Sequence, residues 1–338
     1  MDEPTAVTRD ERGNWSPNYL EQLPAPMVWP PRLLGCLKWL FGWPGYLWPW
    51  NTVFLGFALI AWFFFLPPME AMKTFEPGWI ALIFVRNLGL TILYFGGLHL
   101  WFYMLKGQGT DYRYSTQLPP DKAKSRHFGK QVRENVFWSL ASGVTIWTAY
   151  EAVTWWLYAN EMLPFISWAS NPVWFIALIV LIPLIREVHF YLVHRLLHWQ
   201  PLYRAAHYLH HRNVNIGPWS GLSMHPIEHL LYFSGVIVHW VIASHPFHAM
   251  FHLCHLGFSP AAGHAGFEEI GKEGKKGLKI GAYMHFLHHR YFECNYGGDG
   301  LPIIDKLMGT FHDGSPEAHE RMTRRLRERR WARQAAAT

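Results

Sequence analysis

The chain has 338 residues, 50% of them hydrophobic and 17% aromatic, and a net charge of +6 from 30 Lys and Arg against 24 Asp and Glu. The apolar residues come in long runs rather than short periodic patches, which argues for a membrane protein and against a water-soluble core. Three cysteines without a CxxC pair (Cys36, Cys254, Cys294) argue against a disulfide framework and thiolate metal ligation. No nucleic-acid-binding fold accompanies the basic residues, so the charge is assigned to anionic lipid headgroups.

The N-terminus, MDEPTAVTRDERGNW, lacks the basic and apolar regions of a secretory signal, and no cleaved leader is expected. Residues 1–45 form a polar, proline-rich segment. It ends in PPRLLGCLKWLFGWPGY, where Trp, Phe and Leu alternate with Arg32 and Lys38 as in an interfacial segment. A transmembrane region is expected over 46–171. Its first span covers roughly 48–67, and the second, 79–104, carries Arg86 and Asn87 inside an apolar run. A third covers 135–158, where Glu151 can pair with Arg86 or polarise a substrate headgroup. A fourth, 172–193, opens a catalytic region over 172–315, which a basic tail follows at 316–338.

The loop after the second span carries Lys106, Arg113, Lys122, Lys124, Arg126, Lys130 and Arg133. The connection at 68–76 has Lys73 alone, and that at 159–171 has no Lys or Arg. Positive charge therefore places the basic loop in the cytoplasm, and the fourth span delivers His194 and His198 to the same side. The apolar stretch 230–258 is broken at Ser244, His245 and Pro246. Each half is too short to cross about 30 Å of hydrocarbon, so a re-entrant hairpin is expected to return the chain to the cytoplasmic face. The expected fold is an all-α integral membrane protein: about four transmembrane helices, the re-entrant helical hairpin and a cytoplasmic helical cap carrying a His-rich di-metal site.

Residues 189–211 read HFYLVHRLLHWQPLYRAAHYLHH, and residues 285–289 read HFLHH. At about 3.6 residues per turn, His194 and His198 lie one above the other, and His207, His210 and His211 share a second face. His285, His288 and His289 repeat that pattern. Eight imidazoles exceed what one tetrahedral zinc can use, so two metal ions are expected. Imidazole suits iron, copper, nickel and zinc alike, but eight to ten nitrogens around two ions fit the five- or six-coordination of iron better than tetrahedral zinc. His189 points elsewhere, and His248, His252 and His255, though on one helical face, are expected to line the hairpin or its headgroup edge.

HRLLH, HYLHH and HFLHH in this order resemble the fatty acid hydroxylase and sterol desaturase superfamily of membrane di-iron enzymes. The resemblance extends through WSGLSMHPIEHLL, GHAGFE and HHRYFECNYG to DKLMGTFHDG, from about Arg186 to Gly314. It implies that His194, His198, His207, His210, His211, His285, His288 and His289 are ligands, with His225 and His264 as the ninth and tenth. It also implies that Glu228 is the catalytic-site carboxylate, orienting a ligating imidazole, and that Asn295 and Tyr296 flank the site. The implied activity is a membrane-bound lipid hydroxylase or desaturase with two iron ions and O2 as co-substrate, acting on a fatty acyl chain, a sterol or an aminolipid.

The chain shows no GxGxxG after a strand, flavin motif, CxxC cluster or haem domain, and GGDG at 297–300 reads as a turn. Electrons are therefore expected from a separate ferredoxin or cytochrome b5 type carrier. The expected setting is multi-pass, in the endoplasmic reticulum or a bacterial inner membrane, with the site facing the cytoplasm. A zinc-dependent lipid hydrolase would want the Glu of HExxH, which is missing here, and a metal transporter would line its spans with histidine.

Overall fold

The computed structural model describes residues 8–17, 24–120, 128–273, 275, 277–298 and 300–335. Lys122, Lys124 and Arg126 of the basic loop, Asp299 of the GGDG turn, and the start of the N-terminal segment with the last residues of the tail lie outside the described residues. Helix α1 (Leu33–Phe41) buries none of its side chains. It leaves Leu33, Leu34, Leu37 and Phe41 exposed, next to Trp29 and Trp43. An apolar surface of that kind suits a membrane interface rather than water.

Two long helices follow, α2 (Thr52–Phe65) and α3 (Pro77–His99). The third long run begins as α4 (Gln131–Phe137), continues through a π-helical stretch at Trp138–Val144 and ends as α5 (Thr145–Ala159). Helix α6 (Pro172–Leu197) has 26 residues. Pro77 and Pro172 each stand in the first turn, where a missing N–H costs nothing, and Asn171 caps α6 by accepting the Trp174 N–H at 3.0 Å. Among the described residues, Leu47–Phe65, Pro77–Met104 and Pro172–Leu197 are helices long and apolar enough to cross a membrane.

The expected third span is helical but is not among those three, and its polar residues explain why. Glu134, Ser139, Ser142, Thr148, Glu151 and Thr154 lie along the run and are all buried, the inverse of a soluble amphipathic helix. Glu151 forms an ion pair with Arg86. Its carboxylate also accepts from Asn87 Nδ2 and from Trp155 Nε1, each at 2.9 Å. Of the two roles open to Glu151, the structure shows the pair.

After α6 the chain turns through α7 (Gln200–Leu202), a π turn at Tyr203–His207 and α8 (Tyr208–His211). A helical hairpin follows. Its descending arm is α9 (Pro226–Phe233), a 3-10 turn and α10 (Val238–Val241); the returning arm is α11 (Pro246–Gly263). The break falls at Ile242–His245, as the sequence suggests, and the arms are about 24 and 27 Å long at 1.5 Å per residue, short of the hydrocarbon thickness. At the tip, Ser244 N–H donates to Pro164 O at 3.2 Å, and Asn160 Nδ2 donates to Lys73 O at 3.1 Å. The hairpin thus runs down to the end of the bundle where the 68–76 and 159–171 connections meet, then returns.

Helix α11 is buried at every residue except Ser259 and Gly263 and packs against α2, α3, α5 and α6. Gly257 permits the approach to α5, since a Cβ there would lie 2.4 Å from the Trp147 ring. His248, His252 and His255 are consequently inside the bundle rather than at a headgroup edge. They contact Phe175 O, His239 Nε2 and Asn51 Oδ1 at 3.0, 3.1 and 2.9 Å. Helices α12 (Tyr283–Tyr291), α13 (Pro302–Leu307) and α14 (Pro316–Ala335) complete the cap.

Two antiparallel pairs depart from an all-α reading: β1 (Thr8–Arg9) with β2 (Trp15–Ser16), and β3 (Glu269–Ile270) with β4 (Leu278–Lys279). Two-residue strands are too short to leave an alternating pattern in the sequence.

Candidate metal centre

Nine histidines from four places in the chain meet at the end of the bundle opposite the hairpin tip. His194 sits in the last turn of α6 and His198 caps it; His264 caps α11. The rest come from the π turn, α8 and α12. They form two groups: His194, His198, His207, His211 and His288, and His210, His264, His285 and His289. Each HxxHH is divided between the groups. Residues i and i+4 (His207 and His211; His285 and His289) go to one, and the residue at i+3 (His210; His288) goes to the other. The single shared face expected from spacing is therefore two faces, and the two motifs are used in opposite senses.

The distances within each group suit a shared cation. His198 Nε2 lies 3.2, 3.2 and 3.1 Å from the Nε2 atoms of His288, His207 and His211. His264 Nε2 lies 3.1 Å from that of His289 and 3.0 Å from that of His285. One ring nitrogen carries one proton or one lone pair, so it cannot hydrogen-bond three others at once. A shared cation satisfies them all. With metal–nitrogen bonds of about 2.0–2.1 Å, neighbouring ligands at right angles lie about 3.0 Å apart and tetrahedral ones about 3.4 Å. The observed 3.0–3.2 Å falls within that range.

The opposite ring nitrogens are anchored so that Nε2 faces inward. The Nδ1–H groups of His194, His264 and His288 donate to Tyr296 O (2.7 Å), Pro260 O (2.9 Å) and Cys294 O (2.6 Å). His207 Nδ1 donates to Glu228 Oε1 at 2.8 Å. These partners fix tautomer and ring orientation. Burial holds the His210 imidazole down to about 4 and that of His288 to about 3, so both rings are neutral and competent as ligands at neutral pH. His194 Nε2, His211 Nδ1, His289 Nδ1 and Glu228 Oε2 are buried without a hydrogen-bond partner; for His194 the free atom is the one that faces its group.

A family model described as fatty acid hydroxylase matches residues 179–310, a span that contains all nine clustered histidines and Glu228. The chain is also 25% identical to the Delta(7)-sterol-C5(6)-desaturase of Nicotiana tabacum over 251 residues, 72% of this chain and 86% of that one. Residues 179–310 form a domain of the fatty acid hydroxylase and sterol desaturase superfamily. The chain is accordingly an oxidoreductase, and its apolar helices make it a membrane protein. Two further members of this superfamily match over shorter lengths. The Delta(7)-sterol 5(6)-desaturase of Saccharomyces cerevisiae is 30% identical over 124 residues, 36% of this chain and 32% of that one. The very-long-chain aldehyde decarbonylase of Oryza sativa subsp. japonica is 28% identical over 163 residues, 43% of this chain and 24% of that one. The chain thus spans most of the tobacco protein and a third or less of the other two. No solved structure gives a significant match.

One histidine of the superfamily motifs stays outside both groups. His225 of HPIE caps α9, its Nδ1 accepting the Ile227 N–H at 3.2 Å, and its ring lies beside Trp138. Pro226 holds the preceding residue extended, which suits an N-cap, so here the His-Pro pair starts a helix. Asn295 ties the cap together instead of facing the cluster: its Nδ2 donates to Met284 O and His312 O at 3.1 and 2.7 Å. The backbone oxygens of Ser223, Pro260, Cys294 and Tyr296 that steady the rings escape sequence reasoning, because a carbonyl carries no residue signature.

A cavity of about 270 Å³ opens from the histidines. His194, His207, His210, His264 and His285 line one end. Phe190, Leu197 and Met224 form apolar walls, and Arg186 and His255, eight and nine residues before His194 and His264 on their helices, also line it.

Proposed function

We propose that the protein is a membrane-bound di-iron enzyme that oxidises a lipid, by hydroxylation or desaturation, with O2 and electrons from a separate ferredoxin or cytochrome b5 type protein. The observation that carries this reading is the convergence of nine imidazoles in two groups, seven of them with a ring nitrogen 3.0–3.2 Å from a neighbour's, at the mouth of an apolar cavity. His194, His198, His207, His211 and His288 would hold one ion, and His210, His264, His285 and His289 the other. Two irons bound there supply dioxygen reduction and an oxidant able to attack an unactivated C–H bond. The sterol and aldehyde substrates named for the relatives support a lipid as the substrate class.

The chain's own groups perform the remaining tasks. Glu228 holds the His207 ring through its Nδ1–H and so sets the direction of Nε2. Phe190 and Met224 exclude water from the reacting end and orient a hydrocarbon chain beside His194. We further propose four spans, with the run 131–159 as the third, and place the histidines on the cytoplasmic side, in the endoplasmic reticulum or a bacterial inner membrane. Metal analysis of anaerobically purified protein, paired with oxygen uptake on reconstituted lipid, tests the reading. About two irons per chain with lipid-dependent oxygen uptake is expected. Stoichiometric zinc with ester or amide cleavage and no oxygen uptake would overturn it.

A further inference from the structure

Away from the histidines, the cavity carries polar groups. Arg186, Phe190 and His194 line it on successive turns of α6, so Arg186 lies eight residues, about 12 Å of helix, from the metal end. On α11, His255 stands at about the same distance from His264 and also lines the cavity. Arg186 is 7% exposed and His255 is 4% exposed. The Arg186 guanidinium reaches Glu187 Oε1 at 2.5 Å and Tyr232 Oη at 3.0 Å, and its Nε has no partner. His255 Nδ1 has none either. Buried polar atoms of this kind, within a membrane protein, carry an uncompensated desolvation cost unless a ligand satisfies them.

The hydrogen-bond sense of each free atom is determined. Asn51 Nδ2 donates to Tyr46 O at 2.7 Å, which makes Asn51 Oδ1 the acceptor for His255 Nε2–H at 2.9 Å. The neutral His255 ring therefore presents a lone pair at Nδ1, whereas Arg186 Nε presents a proton. A hydroxyl both donates and accepts; a carboxylate or an ester carbonyl has no proton for Nδ1. The Arg186 charge is already balanced by Glu187, so an anionic headgroup would add an uncompensated buried charge.

We propose that this end of the cavity is the headgroup site for a lipid bearing a free hydroxyl, with His255 and Arg186 as its specificity-determining residues. The inference rests on the reading of the histidine groups as a lipid-oxidising metal centre.

The test is equilibrium binding of tritiated octadecan-1-ol to the full-length, metal-containing protein in nanodiscs. Octadecane, octadecanoate and methyl octadecanoate serve as competitors. Octadecanol should bind about tenfold or more tighter than any of the three, the difference expected for one or two satisfied buried hydrogen bonds. His255→Phe should abolish that preference with the metal content unchanged, and Asn51→Leu, which frees the His255 tautomer, should weaken it. Equal competition by the alkane, the acid or the ester would overturn the proposal, as would an intact preference in both variants. Metal content and oxygen uptake on the same samples separate the two readings. Headgroup indifference with normal oxidation sinks this inference alone, and hydroxyl preference without redox-active metal sinks the oxidase reading alone.

Discussion

His225 and His264 look alike in the sequence, each a loop histidine beside a proline or a glycine, yet they have different surroundings in the fold. His264 Nε2 stands 3.1 and 3.0 Å from two other ring nitrogens; His225 faces a helix N-terminus. His264→Ala should therefore retain about one of two irons and lose oxidation, read by metal analysis and oxygen uptake. His225→Ala should keep both metals and cost about 1 kcal/mol through the lost cap, measured as a small drop in unfolding temperature. Retained activity in the first, or metal loss in the second, would reverse these assignments. Glu228→Gln should lower metal affinity by about 10- to 100-fold through the His207 ring, measurable by chelator competition; unchanged affinity would leave the carboxylate without that role. The eight helix-borne histidines of the two groups are legible because side-chain type and spacing record them. Capping and ligation by a histidine before proline leave the same letters.

The long apolar helices follow directly from hydropathy, whereas the run 131–159 hides its nature because Glu151 and the Ser and Thr residues that face inward dilute its apolar signal. Its buried pair gives a sharp expectation. Arg86→Met alone should destabilise by about 3–5 kcal/mol, since it strands the Glu151 carboxylate, and Arg86→Met with Glu151→Gln should recover much of the loss. Thermal unfolding in detergent reads both, and equal losses in the single and double variants would show that the pair contributes little. The hairpin was legible from the break at Ser244–Pro246 together with the arm lengths. What hydropathy does not record is that α11 is enclosed by other helices instead of lipid, so its histidines each find a partner inside the bundle, at Phe175 O, His239 and Asn51.

In the whole molecule, the hairpin brings His264 and α12 to the end of the bundle where α6 delivers His194. Single-cysteine tags at Gln117 and Glu320 should label from the cytoplasmic side and a tag at Glu161 from the opposite side. Labelling of Gln117 and Glu320 from different sides would contradict the return of the chain. On the proposed reading, two groups of imidazoles hold two irons for oxidation of a lipid. The most direct test of that reading is Mössbauer spectroscopy of protein produced on iron-57 and purified without air, before and after exposure to oxygen. Two ferrous sites per chain that convert together to a coupled ferric pair are the expected result. A single iron site, or none with zinc in its place, would contradict the account.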